Sequence, residues 1–343
     1  MIMKPKYRLA IIISLLSFGI QAQDPIFTQY FFMPETLNPA FTGTLNSWYT
    51  GVIHRSQWPD GNKKINTDFV FINGPLDDEA KMGAGVSFLS HREAFTNYNY
   101  SKVNASFAYN VSLNSEWKLR FGIEGGYGKK DYNFGNLLLE DQINGNTGFI
   151  SANTIDPSAL DYNDKIGFLD LSAGLLIYKD GSWFGGSIKH LNKPNISFRD
   201  GGNVPLEMFF TLHGGYLLEF DYISFSPADK TNLLLTANYM NQSQYNRLDI
   251  GGALEMDQFV LGATAVTNPS GKSSDSHMVT SVNLFSSIQI DRFVFGYSYD
   301  INTSRFGNNK GIHELSLTWQ IGRSCSHCDN YLVKRPWGRN YEN

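Results

Sequence analysis

Residues 117–128 read WKLRFGIEGGYG. Trp117, Leu119, Phe121, Ile123, Gly125 and Tyr127 alternate with Lys118, Arg120, Gly122, Glu124, Gly126 and Gly128. Successive side chains of a strand point to opposite faces, so one face here is apolar with aromatic ends and the other is charged or glycine. A half-buried strand of a water-soluble sandwich also alternates. What separates the two readings is the aromatic residue at each end of the apolar face, where a strand crossing a bilayer meets the two interfaces.

The same period recurs on both sides of this stretch. Val103, Ala105, Phe107 and Tyr109 oppose Lys102, Asn104, Ser106 and Asn110. Leu248, Ile250 and Leu254 oppose Asp249, Gly251 and Glu255, and Phe293, Phe295, Tyr297 and Tyr299 oppose Val294, Gly296, Ser298 and Asp300. Leu315, Leu317, Trp319 and Ile321 oppose Glu314, Ser316, Thr318 and Gln320. Each segment has about the ten residues that a tilted strand needs to cross the hydrocarbon. The pattern predicts strands at 46–58, 65–73, 82–90, 98–111, 117–130, 167–179, 183–191, 204–220, 230–240, 245–255, 258–266, 277–290, 292–300 and 311–322. That makes an all-β, closed antiparallel transmembrane barrel of about 14 strands, an even number as single-chain bacterial barrels have.

The connections test this independently. Taken in order, the odd ones include the long loops 131–166, 192–203, 267–276 and 301–310, and the even ones the tight turns at Lys179–Ser182, Met256-Asp257 and Asp291. Long loops outside and short turns inside are what an outer-membrane barrel with both termini in the periplasm requires. Two connections break the pattern, the short 241–244 and the long 221–229.

Composition agrees: aromatics are 14%, charged residues 17%, and there are 32 glycines. A net charge of −4 without a basic stripe excludes a nucleic-acid partner. At the start, Lys4, Lys6 and Arg8 precede the apolar run Leu9 to Ile20 and the small residue Ala22. That layout is a secretory signal peptide, residues 1–22, because the run is too short to span a bilayer. The expected organisation is this signal, a periplasmic lead-in over 23–45, the barrel over 46–322 and a periplasmic tail over 323–343.

No catalytic constellation appears, neither a nucleophile elbow, a zinc helix nor a phosphate-binding loop, so no enzyme, metal or cofactor is expected. His54, His91, His190, His213, His277 and His313 are scattered and read as polar lumen or rim residues. His91 and the carboxylates Asp77, Asp78 and Glu79 fall on opposite sides of the membrane by loop parity, so they form no rim site. Gly83-Ala84-Gly85 lies within a strand, where glycine allows close packing. In the tail, Cys325 and Cys328 can close a disulfide; the basic, aromatic stretch that follows, with Trp337, reads as a docking segment for a periplasmic partner.

The lead-in reads QDPIFTQYFFMPETLNPAFTGT from Gln23 to Thr44. Pro25, Pro34 and Pro39 exclude a helix or central strand. Phe27, Tyr30, Phe31 and Phe32 are too apolar for a free tail, so the segment packs in or beneath the barrel mouth or against a partner. With Asp24-Pro25, Phe27, Gln29-Tyr30, Asn38-Pro39-Ala40 and Gly43, it resembles the opening of the PorP/SprF family of type IX secretion outer-membrane proteins of Bacteroidetes. Arg55 to Trp58, the stretch His190 to Phe198, and His313-Glu314 are similar as well. The cysteine tail departs from the short ending that the family leads one to expect.

The resemblance implies a multi-pass protein of the bacterial outer membrane that supports export and surface anchoring of specific cargo, such as large gliding adhesins. Its partners would be outer-membrane lipid, the secreted cargo and other type IX components, periplasmic or in the outer membrane. Candidate contact residues are Phe27, Tyr30, Phe31, Phe32 and Asn38 in the lead-in, Leu137, Leu138 and Phe149 in the long loop, and Trp337 in the tail. The alternative function is a porin-like diffusion channel for small solutes, since Lys118, Arg120 and Glu124 fit either a wet lumen or a closing network.

Overall fold

Period-2 patterning becomes one continuous wall. In the computed structural model, fourteen strands run β1 Trp48–Gln57, β2 Ile65–Pro75, β3 Met82–Glu93, β4 Tyr98–Ser112, β5 Lys118–Asp131, β6 Lys165–Lys179 and β7 Ser182–Lys189, then β8 Phe209–Phe220, β9 Thr231–Gln242, β10 Tyr245–Met256, β11 Phe259–Thr267, β12 Val279–Ile290, β13 Phe293–Asn302 and β14 Ile312–Ile321. The structure describes residues 24–45, 47–59, 64–77, 79–132, 140–143, 147, 149–151, 162–220, 231–269, 279–303 and 311–321. Each strand pairs antiparallel with its sequence neighbours, and β1 closes on β14 from Trp48 opposite Ile321 to Gln57 opposite Ile312. Closure removes the two sheet edges, which lipid could not satisfy.

The apolar face points outward. Phe121, Ile123 and Tyr127 are exposed, while the intervening Arg120 and Gly122 are buried in the lumen. Trp48, Phe293 and Trp319 present rings at the end where the chain enters and leaves the barrel, with Phe293 stacked on Trp319 at 5.6 Å. Ile123, midway along β5 and 60% exposed, therefore belongs to the lipid. Ile123→Arg is expected to destabilise the barrel by about 2–4 kcal/mol relative to Ile123→Ala, read as a lower denaturation midpoint in lipid vesicles.

Turn chemistry fixes the register. At the two-residue connections Ser243, Asp257 and Asp291 take left-handed backbone with φ near 53°, and Gly181 does so with φ 67°. Short polar residues and glycine tolerate that conformation best. At the opposite end from the barrel's first and last residues, Tyr162 at the close of one long connection bridges Arg199 of the connection 190–208. One expected strand is corrected: β8 begins at Phe209 and not at 204. Pro205 lacks an N–H for the ladder, and it forms only an isolated bridge with Asn195 in the loop.

Candidate functional site

The lumen is occupied. Residues 24–44 run through it along the barrel axis, from Asp24 beside His190 at the long-loop end to Thr42-Gly43 beside Arg120 and Asn73 at the short-turn end. The lead-in, expected in or beneath the periplasmic mouth, is thus an internal plug that reaches the far half of the barrel. The reason is a continuous series of matching partners on the wall.

Aromatic packing comes first. Phe27, Phe32 and Met33 share a buried cluster with Tyr49, Ile53, Phe69, Phe71 and Phe285 of the wall. Phe31 stacks on Phe285 at 4.9 Å, and Phe27 lies 6.0 Å from Phe69. Tyr30 and Leu37 pack on Phe209 and Met240, and Ala40 and Phe41 on Leu176 and Tyr178. The lumen is not uniformly polar; its apolar patches face the plug.

Polar anchors set the register. The backbone N–H groups of Thr28 and Gln29 donate to the Glu314 carboxylate at 2.9–3.0 Å, and Thr28 Oγ1 donates to Asp300 at 2.8 Å. Arg55 bridges the same two carboxylates. Asn38 caps the turn Pro39–Phe41 by accepting from Ala40 N–H at 2.8 Å, while its amide donates to the carbonyls of Leu175 and Gly186. Arg120 donates to Thr42 O at 2.6 Å, and Gly43 N–H donates to Asn73 at 2.9 Å.

Two wall glycines make the fit. A Cβ on Gly122 would lie 2.3 Å from Ala40 N, and one on Gly174 would lie 1.9 Å from Asn38 Oδ1. The backbone of Asn38-Pro39-Ala40 can approach the wall only because those side chains are missing.

At the far tip, His190 is fully buried between two carboxylates, with Nε2 2.9 Å from Asp24 and Nδ1 2.9 Å from Asp170. Asp170 is also paired with Lys102. Two carboxylate acceptors require both imidazole nitrogens to donate, which is the cation. Burial alone would lower the His190 pKa, but Asp24 and Asp170 outweigh it and raise it to about 9. Burial likewise favours neutral Asp24, yet the charge and hydrogen bond of His190, with Lys189 and Lys102 nearby, hold it well below the usual carboxylate range.

The sign follows from linkage. A raised histidine contributes stability fully below its ordinary pKa near 6.5 and loses it as pH rises through about 9. The depressed Asp24 contributes above about 3.8 and loses that as pH falls through its folded value. The latch is therefore strongest between those ordinary values. Chymotrypsin cleavage at Phe27 and Tyr30 should increase above about pH 9, and His190→Gln should abolish the change.

Above the tip lies a vestibule of about 590 Å³, floored by Asp24, Pro25 and Ile26 and walled by residues such as Tyr98, Tyr100, Lys130, Phe198 and Arg247. Below it, two of the spaces between plug and wall measure about 50 and 10 Å³. Spaces of that size hold isolated waters. Among the described residues no group of His, Cys, Asp and Glu is arranged to hold a metal ion.

The expected contact residues thus divide. Phe27, Tyr30, Phe32 and Asn38 are buried in the plug and Phe31 packs half-buried beside them, so none forms an outward surface. Phe149 is exposed in the long loop. Leu137, Leu138, Trp337, Cys325 and Cys328 lie outside the described residues, as does the signal segment. Patterning alone missed the receptor side, Glu314, Asp300, Gly122 and Gly174. Arg55, His190 and Glu314 fell within the stretches that carried the family resemblance, yet their shared role appears only in three dimensions.

A family model described as type IX secretion system membrane protein PorP/SprF matches residues 20–319. The chain belongs to the PorP/SprF family. With a closed antiparallel barrel, this PorP/SprF protein is a membrane protein of the bacterial outer membrane. A comparison with curated protein sequences returned no match. Among solved structures, it resembles a deltaS2S3 mutant of the TodX monoaromatic hydrocarbon channel at 9% identity and TM-score 0.46, over 86% of this chain and 94% of that one. A Pseudomonas aeruginosa FadL homologue is similar at 9% identity and TM-score 0.43, over 83% and 93%. CdiB from Acinetobacter baumannii is similar at 10% identity and TM-score 0.43, over 80% of this chain and 60% of that one. These likenesses concern the barrel alone.

Proposed function

We propose that this PorP/SprF barrel works in type IX secretion as a sealed, non-enzymatic anchor that supports export and surface attachment of specific cargo, such as a large adhesin. Loop asymmetry orients it, with the short turns toward the periplasm and the long loops outside. Cargo meets the long-loop end, where Phe149 is exposed, and other secretion components meet the short-turn end.

The observation that carries this reading is the plug. A diffusion channel needs a continuous wet lumen, and here residues 24–44 fill it with buried aromatics and anchored backbone. Binding at the ends is then the use left to the barrel.

Affinity purification from outer membranes solubilised in mild detergent tests it. Co-purification of a secreted surface protein or a secretion component supports the anchor. Recovery of the barrel alone, together with slower solute uptake in cells lacking it, would overturn it.

A further inference from the structure

Lys130 is the inward-facing residue one position before the end of β5, and only 3% of it is exposed. Its ammonium lies 5.2 Å from the Tyr100 ring centre and 5.8 Å from that of Phe168, at the wall of the vestibule. Among the described residues its ammonium makes no ion pair within 4 Å and no hydrogen bond, and Asp24 and Asp170 act on it only at longer range.

The other cations of the vestibule are engaged. Arg55 holds Asp300 and Glu314, Arg247 holds Asp249 through two nitrogens, and His91 sits between Thr67 and Glu93. An ammonium largely withdrawn from water, reaching it only through the vestibule, is weakly solvated, and two aromatic faces recover only part of its lost hydration. An anion in the vestibule would supply it with an acceptor.

We propose that the vestibule is a binding site for a carboxylate carried on an apolar group, with Lys130 as its counter-charge. The local chemistry selects a single negative charge. A phosphate is ordinarily held by guanidinium forks or rows of backbone N–H groups, whereas here one point charge is on offer. Asp24 and Glu93 on the same walls repel a second negative charge. Ile196, Ile312 and Phe198 supply apolar wall, and about 590 Å³ is the size of ordinary small-ligand pockets. Because Lys130 lies just inside the rim, the carboxylate can come from the end of an extended polypeptide or from a free small acid.

The full-length protein in lipid nanodiscs can be titrated calorimetrically, with empty nanodiscs as the blank. The probes are an acetylated apolar tetrapeptide with a free C-terminal carboxylate, the same peptide amidated, and 4-phenylbutyrate. The free-acid peptide should bind at least about tenfold more tightly than its amide, a difference of about 1.4 kcal/mol. Lys130→Gln should erase that preference, and Lys129→Gln, on the outer face, should keep it. Peptide acid binding more tightly than 4-phenylbutyrate assigns the site to a chain end; equal binding assigns it to free acids. Equal affinity for acid and amide on the unmodified protein would overturn the proposal, whatever the folding of the variants. So would a Lys130→Gln protein that retains the preference. The proposal rests on the anchor reading only for the side from which the ligand arrives. Failure to recover cargo alongside an intact acid preference would remove that reading and leave the site standing.

Discussion

Removal of residues 24–44 is expected to turn a silent barrel into a conducting one. The intact protein should show no resolved current steps in planar bilayers, because residues 24–44 fill the lumen with buried aromatics and anchored backbone. Without the segment, the lumen face keeps Lys102, Arg120, Glu124, Asp249, Asp300 and Glu314, which would attract and hold water. The wall should survive the loss, since its backbone hydrogen bonds run between strands, the closing ladder of β1 with β14 included. Heat-modifiable migration on a gel verifies that the barrel has formed. A folded deletion variant that stays silent would show that something other than the plug closes the lumen.

The largest single-residue effect is expected at Glu314. Its side chain is fully buried, accepts the Thr28 and Gln29 backbone N–H groups, and is paired with Arg55. Glu314→Ala leaves Arg55 facing Asp300 alone and orphans two plug donors. Breaking one side of a buried ion pair typically costs about 3–5 kcal/mol. The denaturant midpoint should fall accordingly, and the plug should become open to chymotrypsin. The double variant Arg55→Leu with Glu314→Leu should be milder than the sum of its parts, because no unpaired charge remains. Additive losses would mean that the two side chains act independently.

The family motif acquires a physical reading from these contacts. Asp24 latches to His190, Gln29 docks on Glu314, Asn38-Pro39-Ala40 fits over Gly174 and Gly122, and Gly43 meets Gly83. Gly83, read from its strand as a close-packing glycine, is where a Cβ would lie 2.5 Å from Thr42 O. The lead-in proline and aromatic residues indicated a segment that must pack; they carried no information about its path.

What the sequence determined by itself is the wall: fourteen strands, most with ends within a residue or two, and, on the five with the clearest alternation, the two faces. That much is local, because lipid on one side and the lumen on the other impose alternation residue by residue. What only the tertiary structure decided is the plug and its receptor. Thr28 and Glu314 stand 286 positions apart, and Asp24 and His190 stand 166 apart. No period links such pairs; they meet because barrel closure brings distant strands around one lumen, and burial then makes each unpaired polar group seek a partner there.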